Sequence, residues 1–279
     1  MTTPTVALTI AGSDSSGGAG VQADLRTFAA HGLHGASAFA ALTAQNTVGV
    51  QGIHTVPADF VCAQVISVLD DLEVRAVKTG MLATADVVRC VARLATERRL
   101  PNLVVDPVTV ASTGARLLDR EAETAYLEDL IPRARVVTPN RLEAGVLCRR
   151  EVRTIADMAD AAHDLAGLGP EAVAVTGGDD DEGDESIDIV VIDGTTHQLR
   201  APRVTTGNNH GTGCSFAAAT AARLALGDDT LTALRHAKSY VHRALAGAAT
   251  WHLGAGHGPI DHFGWSTPNQ PVQPTRKES

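Results

Sequence analysis

The chain has 279 residues, of which 44% are hydrophobic and only 3% aromatic, and its formal net charge is −9. An acidic chain with so few aromatic residues is poorly suited to nonspecific nucleic-acid binding, so we expect no nucleic-acid partner. The N-terminus has no basic stretch followed by an apolar segment, and no apolar run reaches the roughly 20 residues of a membrane span. We therefore expect a cytoplasmic protein that makes no membrane contact.

Short apolar runs alternate along the chain with segments of helical periodicity. Buried strands are predicted at residues 6–10, 74–77, 103–105, 135–137 and 172–175, and helices at 86–98 and 155–168. Residues 187–192 and 197–201 flank an Asp-Gly pair, which predicts a hairpin near a sheet edge. The alternation predicts an α/β fold whose sheet is mostly parallel and covered by helices on both faces.

No linker or repeat divides the chain, and we expect one domain over residues 1–265 followed by a disordered tail over 266–279. Residues 179–185 carry six acidic residues in seven positions. This pattern favours a solvated loop, and a metal site is the alternative interpretation. The cysteines Cys62, Cys90, Cys148 and Cys214 form no CxxC pair. Their spacing indicates neither a zinc site nor a disulfide framework, and we expect the first three to be free buried thiols.

Polar and glycine clusters follow nearly every predicted strand, where an open α/β sheet binds its ligands. These clusters are residues 11–25, 43–47, 78–82, 106–108, 138–144, 176–178 and 210–214. The first carries four glycines, but their spacing is not GxGxxG, which argues against a dinucleotide site. The last opens an Ala-rich helical segment, and a glycine-rich turn at a helix N-terminus can hold an anion.

Individual side chains in these clusters allow two interpretations each. Gln45 can bind the edge of a nitrogen heterocycle, or it can cap a turn. Asn140 and Glu143 can supply oxygen ligands to Mg²⁺, or they can form the N-cap and first turn of a helix. Asp106 can cap a strand end or face a phosphate-bound metal.

Eight stretches, in this order, carry a resemblance to a known family. They are AGSDSSGGAGVQADLRTFAAHGLHG (11–35), ALTAQNTVGVQGIH (41–54), VKTGMLA (77–83), VVDPV (104–108), VVTPNRLEA (136–144), LGPEAVAVTGG (168–178), HGTGCSFAAA (210–219) and GAGHGPIDHF (254–263). The chain resembles the hydroxymethylpyrimidine and hydroxymethylpyrimidine-phosphate kinases of thiamin biosynthesis, within the ribokinase-like superfamily, and the match spans residues 6–263. Sugar kinases of that superfamily generally have Asp where this chain has Cys214.

The resemblance implies a ribokinase-like three-layer sandwich, ATP and Mg²⁺ as cofactors, a small pyrimidine as substrate, and a homodimer. It places Gln45 on the aminopyrimidine, with Ala11, Gly12, Asp24, Met81 and Val108 lining the same pocket. It assigns nucleotide binding to Asp106, Asn140, Glu143, Thr176, Gly177, His210 and Lys238, with Asn140 and Glu143 also on Mg²⁺. It makes Gly211, Thr212 and Gly213 the anion hole around the transferring phosphoryl group, beside Cys214.

Cys214 follows that anion hole, where the alcohol substrate must lose a proton. The pKa of a thiol at a helix N-terminus can fall well below its free value, so Cys214 is expected to act as general base. The alternative role is a small residue that packs the start of the helix. Phosphorylation of the monophosphate needs no base, because its attacking oxygen is already ionised near neutral pH.

Two departures from the family pattern concern lysines. Thr176 and Ser112 stand where the family usually has lysine, and Thr109 stands where it has methionine. A missing cation costs several kcal/mol in a phosphoryl-transfer site, although Lys78 or Arg116 could compensate. The chain is then an ordinary kinase with shifted contacts, a kinase specialised to one step or a related substrate, or a weakened enzyme.

Pyridoxine or pyridoxal is the alternative substrate, and a pyrimidine-binding protein with little catalysis is the alternative class. The TAQNT stretch favours the pyrimidine.

Overall fold

A nine-stranded sheet runs through the computed structural model, which describes residues 3–109, 120–178 and 183–266. Its strands are β1 (Val6–Ser13), β2 (His34–Asn46), β3 (Gly49–Thr55), β4 (Val74–Thr79), β5 (Val104–Val105), β6 (Val136–Val137), β7 (Ala172–Val175), β8 (Glu185–Ile192) and β9 (Thr195–Pro202). Their order across the sheet is β3-β2-β1-β4-β5-β6-β7-β8-β9. The strands from β2 to β7 in that order are parallel, and antiparallel strands flank them on both edges.

The α-helices of the described residues lie on both faces of this sheet. They are α1 (Gly20–Ala30), α2 (Ala58–Asp71), α3 (Ala85–Thr96), α4 (Arg120–Ala125), α5 (Arg141–Cys148), α6 (Ile155–Ala166), α7 (Thr212–Ala225) and α8 (Thr230–Ala248). One hydrophobic core joins the sheet to α2 through α6, and the other joins it to α1, α7 and α8. The mostly parallel α/β sandwich predicted from the sequence is confirmed.

Alternation along the central strands explains why two separate cores form. In β5 and β6, Val104 and Val136 belong to the α7 side, whereas Val105 and Val137 belong to the α3 side. Successive side chains of a strand point to opposite faces, so a strand buried on both faces reads as an uninterrupted apolar run. The five predicted strands therefore appear as β1, β4, β5, β6 and β7, and the predicted hairpin appears as β8 and β9.

The hairpin of β2 and β3 is an element that the sequence did not reveal. β2 extends for 13 residues to Asn46, so Gln45 lies on a strand and not in a turn after Leu42. Most of β3 is exposed, and its residues include glycine, glutamine and histidine. A strand of this kind has no hydrophobic alternation by which it could be recognised.

The expected state of two cysteines is wrong in the structure. A disulfide joins Cys62 on α2 to Cys90 on α3, with 6.3 Å between their Cα atoms. The two helices pack side by side, and the 28-residue separation of the cysteines gives no hint of that proximity. Cys148 is a free thiol, as expected, although it is only partly buried.

Some sequence predictions fall outside the described residues. They concern residues 179–182 of the acidic run, the tail from residue 267 onward, and the positions of Ser112 and Arg116. Glu185, the last residue of the acidic run, begins β8. Within the described ranges, no helix is both long and apolar enough to cross a membrane.

Candidate active site

The clusters that follow the strands meet in a cavity of about 330 Å³ at the carboxyl edge of the sheet. The cavity walls come from the segments after β1, β4, β5, β6 and β7, from the β2–β3 hairpin, and from the start of α7. The predicted site residues that line it are Gly12, Gln45, Met81, Asp106, Val108, Asn140, Glu143, Thr176, His210, Gly211, Thr212, Gly213 and Cys214.

A second cavity of about 310 Å³ adjoins the first. The two share five lining residues, which are Asn140, Thr176, Asn209, Thr212 and Gly213. Lys238 and Asp188 line the second cavity only, as do the apolar residues Val204, Val241 and Leu245. The arrangement is two chambers that meet at the N-terminus of α7.

The N-terminus of α7 begins with a residue that must be glycine. Gly211 is the N-cap and has a φ of 83°, which is in the left-handed region. A Cβ atom there would also overlap the carbonyl oxygen of Gly18, because the two glycine-rich loops touch at this point. No side chain caps the helix. The first backbone N–H groups of α7, at the junction of the chambers, therefore form a site suited to an anion.

Asn140 and Glu143 form a capping box at the start of α5. The Asn140 side chain accepts a hydrogen bond from the Glu143 backbone at 2.9 Å, and the Glu143 carboxylate accepts one from the Asn140 backbone at 2.8 Å. The structural interpretation of this pair is thus confirmed. Both residues still line the first cavity.

A buried ion-pair cluster lies behind the cavity wall. The Lys78 ammonium is 3.0 Å from Asp24 and 3.5 Å from Asp106, and Lys78 and Asp24 have no exposed surface. Asp24 also accepts a 2.6 Å hydrogen bond from Thr9. Burial alone would lower the pKa of Lys78, but the charges of Asp24 and Asp106 raise it, so the ammonium stays charged. Lys78 is paired and does not line either cavity.

The Cys214 thiol faces this cluster, and the direction of its pKa shift reverses our expectation. Burial raises the pKa of Cys214 to about 12, although Lys78 and a hydrogen bond from the Gly20 backbone oppose that rise. The prediction that the helix N-terminus lowers this pKa is therefore wrong, because the loss of solvation outweighs it. Asp106 lines the same cavity as Cys214, and burial raises its pKa as well.

Asp14 organises the glycine-rich loop between β1 and α1, a role that the sequence analysis missed. Its carboxylate accepts hydrogen bonds from the backbone and hydroxyl of Ser16 and from the backbones of Gly18 and Ala19. His210 lies 2.8 Å away on the same carboxylate. Burial would raise the pKa of Asp14, but the hydrogen bonds from His210, Ser16 and Ala19 lower it to about 2. An Asp ahead of glycines is a typical turn former, which was the available signal.

Gln45 is held at both its backbone and its side chain. Its backbone N–H donates to the Ser15 hydroxyl at 2.8 Å, and its carbonyl accepts from the same hydroxyl at 2.7 Å. Its amide lies between Thr43 and His210, at 3.1 and 3.4 Å. The side chain is part of the cavity wall, as a ligand-binding role requires.

Several predicted site residues occupy other places than expected. Neither cavity is lined by Ala11, Asp24 or Gly177, so the structure does not place these residues at a cavity wall. His210, which was assigned to nucleotide binding, lines the first cavity and not the second. It therefore shares a cavity wall with Gln45. Lys238 does line the second cavity, but its ammonium is 2.8 Å from the Asp188 carboxylate and donates to Ser186.

The C-terminal part of the described chain, residues 254–262, closes the site; we call it the closing segment. The Gly256 backbone donates to the Thr47 hydroxyl in the β2–β3 turn, and the Gly258 carbonyl accepts from the His210 backbone. Farther along, His262 pairs with Ser215 of α7 at 3.0 Å, and both residues are buried. This segment therefore ties the hairpin, the anion site and α7 together.

The sandwich and its two joined cavities define a small-molecule kinase of the ribokinase-like class, and solved kinase structures superpose closely on the chain. The pyridoxal kinase of Staphylococcus aureus, in complex with AMP-PCP and pyridoxal, matches with a TM-score of 0.86 and 34% identity, covering 96% of both chains. The phosphomethylpyrimidine kinase of Clostridium difficile matches with a TM-score of 0.76 and 34% identity, covering 86% of this chain and 99% of the other.

The model of the phosphomethylpyrimidine kinase family matches residues 14–261, and the chain belongs to that family. The hydroxymethylpyrimidine/phosphomethylpyrimidine kinase of Rhizobium meliloti is 44% identical over 92% of this chain and 97% of its own length. The thiamine biosynthetic bifunctional enzyme of Arabidopsis thaliana is 43% identical over 92% of this chain. The matched part is 49% of the length of that relative, so the chain spans about half of it.

Proposed function

We propose that the chain transfers the terminal phosphoryl group of ATP to 4-amino-5-hydroxymethyl-2-methylpyrimidine and then to the resulting monophosphate, in thiamin biosynthesis or salvage. The observation that carries this proposal is the pair of joined cavities. Gln45 lines the first, and the open N-terminus of α7 lies where the second joins it. The name and nearly full-length match of the Rhizobium relative support the choice of substrate.

In the first cavity, the Gln45 amide would bind the amino group and ring nitrogen of the pyrimidine. Gly12, Met81 and Val108 line the same space and would pack against the ring. Gly12 and Met81 already touch, with the Met81 methyl group 2.5 Å from where a Gly12 Cβ would lie. A side chain at position 12 would therefore displace Met81 and narrow the cavity.

In the second cavity, Val204, Val241 and Leu245 would take the adenine, with the phosphates directed toward Thr176, Thr212 and Gly213. The backbone N–H groups at the start of α7 would then bind the phosphoryl group in flight. Phosphoryl transfer depends mainly on such positioning and electrostatic stabilisation. This arrangement suits a chain that has Thr176 in place of a lysine, because backbone dipoles supply part of the missing positive charge.

Magnesium is the proposed metal, held by Asn140 and Glu143 together with phosphate oxygens. Among the residues described, no group of three His, Cys, Asp or Glu side chains is arranged to hold a metal ion. Mg²⁺ usually takes only one or two carboxylates plus water and phosphate, so two oxygen-bearing side chains at the cavity wall fit it. When bound, the ion would neutralise charge on the phosphates.

Cys214 would act with Asp106 and not as a free thiolate. As the alcohol attacks, its proton would pass to the Cys214 sulfur while the thiol proton passes to the Asp106 carboxylate, which lines the same cavity. Cys214 then begins and ends the transfer as a thiol, so its raised pKa is no obstacle. The second phosphorylation would need no such relay, because the attacking phosphate oxygen is already ionised.

The test is ADP release by the purified protein with ATP and Mg²⁺, in the presence of the hydroxymethylpyrimidine, its monophosphate or pyridoxine. We expect turnover of both pyrimidines and slower turnover of pyridoxine. The close superposition on a pyridoxal kinase favours pyridoxine as the second candidate, and faster turnover of pyridoxine would select it. Calorimetric binding of the pyrimidine without ADP release would instead indicate a binding protein with little catalysis.

The proposed enzyme is a homodimer in the cytoplasm, built from a single domain over residues 1–265, and binds neither nucleic acid nor membrane. The dimer rests on the family resemblance alone. Light scattering coupled to gel filtration measures it directly, with a molar mass of twice 29.0 kDa as the expected result.

A further inference from the structure

The Gln45 amide lies between two groups whose hydrogen positions can be worked out. Gln45 Oε1 is 3.1 Å from Thr43 Oγ1, and Gln45 Nε2 is 3.4 Å from His210 Nε2. The two amide ends are nearly equal in size, so only their hydrogen-bond partners decide which end is nitrogen. Both partners must therefore be classified as donor or acceptor.

His210 presents a hydrogen on Nε2. Its Nε2 lies 2.8 Å from the Asp14 carboxylate, which accepts four further hydrogen bonds from Ser16, Gly18 and Ala19. An ionised carboxylate can only accept, so the hydrogen between the two groups belongs to His210. This holds for the neutral ring and for the imidazolium alike. His210 Nε2 therefore cannot accept a hydrogen bond from the Gln45 amide nitrogen.

Thr43 presents lone pairs to Gln45. Its hydroxyl has a single hydrogen, which it donates to the Ser13 carbonyl at 2.7 Å. That carbonyl can only accept, so the hydrogen is not available to Gln45. An amide oxygen facing Thr43 would meet a second acceptor. Turning the Gln45 amide by half a turn pairs its N–H with the Thr43 hydroxyl. It also replaces a second donor beside the His210 Nε2–H, which already donates to Asp14, with a carbonyl that can share this hydrogen.

We propose that Asp14, His210 and Thr43 are positioning residues that hold the Gln45 amide with its nitrogen toward Thr43 and its oxygen toward His210. The amide then offers its remaining lone pair and remaining N–H to the first cavity in one fixed order. This order selects heterocycles that carry an amino group beside a ring nitrogen. The selection rests on the proposed function, whereas the amide arrangement stands on the hydrogen bonds alone.

The chemistry of the two candidate substrates explains the selection. In the aminopyrimidine, the amino group donates and the adjacent ring nitrogen accepts, which complements the oxygen and N–H of an amide. Pyridoxine has a methyl group beside its ring nitrogen and cannot form that pair. A site built to hydrogen-bond a substrate rejects an analogue that leaves its polar groups unpaired. An amide free to turn would lose this preference for the aminopyrimidine. In the wrong orientation, its N–H would face the amino group and its oxygen would face the ring nitrogen.

The amide arrangement is tested by the nitrogen chemical shifts of His210. Long-range proton–nitrogen spectra of labelled protein at neutral pH distinguish a ring nitrogen that carries hydrogen from one that does not, and a His210→Gln sample identifies the resonances. We expect Nε2 to carry hydrogen. A hydrogen-free Nε2 would overturn the proposal, because His210 would then accept from the Gln45 nitrogen.

The selection is tested by Thr43→Val with Thr43→Ser as the matched control. Thr43→Val removes the acceptor, so we expect the KM for the hydroxymethylpyrimidine to rise about tenfold, with kcat within about twofold and the KM for pyridoxine unchanged. Thr43→Ser keeps the hydroxyl and should restore the wild-type KM. An equal rise for both substrates, or no rise, would overturn the selection. No turnover of either pyrimidine by folded wild-type protein would instead reject the proposed function, while the nitrogen spectra still decide the amide arrangement.

Discussion

His262 makes the stability of the protein depend on pH in a way that can be measured. Burial lowers the pKa of His262 from 6.5 to about 4. The Ser215 hydroxyl lies 3.0 Å from Nε2, and both side chains are buried. Because the folded-state pKa lies below the unfolded one, the unfolded chain binds more protons as the pH falls. Stability is therefore highest above pH 6.5 and is lost progressively between pH 6.5 and pH 4.

The magnitude follows from the two pKa values. With a folded-state pKa of about 4, the free energy of unfolding falls by about 2 kcal/mol from pH 8 to pH 5 through this one histidine. The assay is urea unfolding of the wild type and His262→Gln at pH 8, 7, 6 and 5. Glutamine can accept the Ser215 hydrogen bond but does not titrate, so the difference between the two pH profiles isolates His262. His31, whose pKa burial also lowers, contributes equally to both profiles. Parallel profiles for two folded proteins would refute the reasoning.

Three further predictions concern Cys214, Lys78 and the Cys62–Cys90 disulfide. Cys214→Ala should slow phosphorylation of the alcohol about 100-fold or more and that of the monophosphate far less, whereas Cys214→Ser should keep much of the first activity; equal losses in steady-state rates would contradict the proton relay. Lys78→Met should lower the free energy of unfolding by about 3–5 kcal/mol, because it leaves buried carboxylates without their cation; a loss below about 1 kcal/mol in urea unfolding would contradict this account. Reducing the Cys62–Cys90 disulfide, whose partners are 28 residues apart, should cost about 3.5 kcal/mol of stability; unfolding with and without reductant measures it, and Cys62→Ser, which should show no reductant effect, is the control.

The parts of the fold that the sequence predicted are those whose signal is local. The run Ala172–Val175 appears as β7 with the predicted bounds, because a strand buried on both faces is apolar at every position. The N-cap interpretation of Asn140 with Glu143 also held, since a capping box needs only two residues three positions apart. By contrast, the exposed strand β3 lacks the alternation that a sequence analysis uses.

The parts that the sequence did not reveal depend on contacts between distant positions. Lys78 and Asp24 are 54 residues apart, and His210 and Asp14 are 196 apart. Neither pairing has a spacing that could be recognised, although all four residues lie in or beside predicted clusters. The predicted direction of the pKa shift of Cys214 was wrong for the same reason. Burial by the surrounding chain raises this pKa and outweighs the local effect of the helix N-terminus.

The closing segment also has a consequence for how the enzyme is made. Gly256 contacts Thr47, and the two are 209 residues apart, so the cavity wall joins early and late parts of the chain. During synthesis, the ribosome releases the hairpin and the glycine-rich loop long before their C-terminal partners exist. The nascent chain should therefore gain its activity in a single late step, when the Gly258 carbonyl reaches His210. A translation product that stops after α8 would retain the sheet and yet be unable to complete its site.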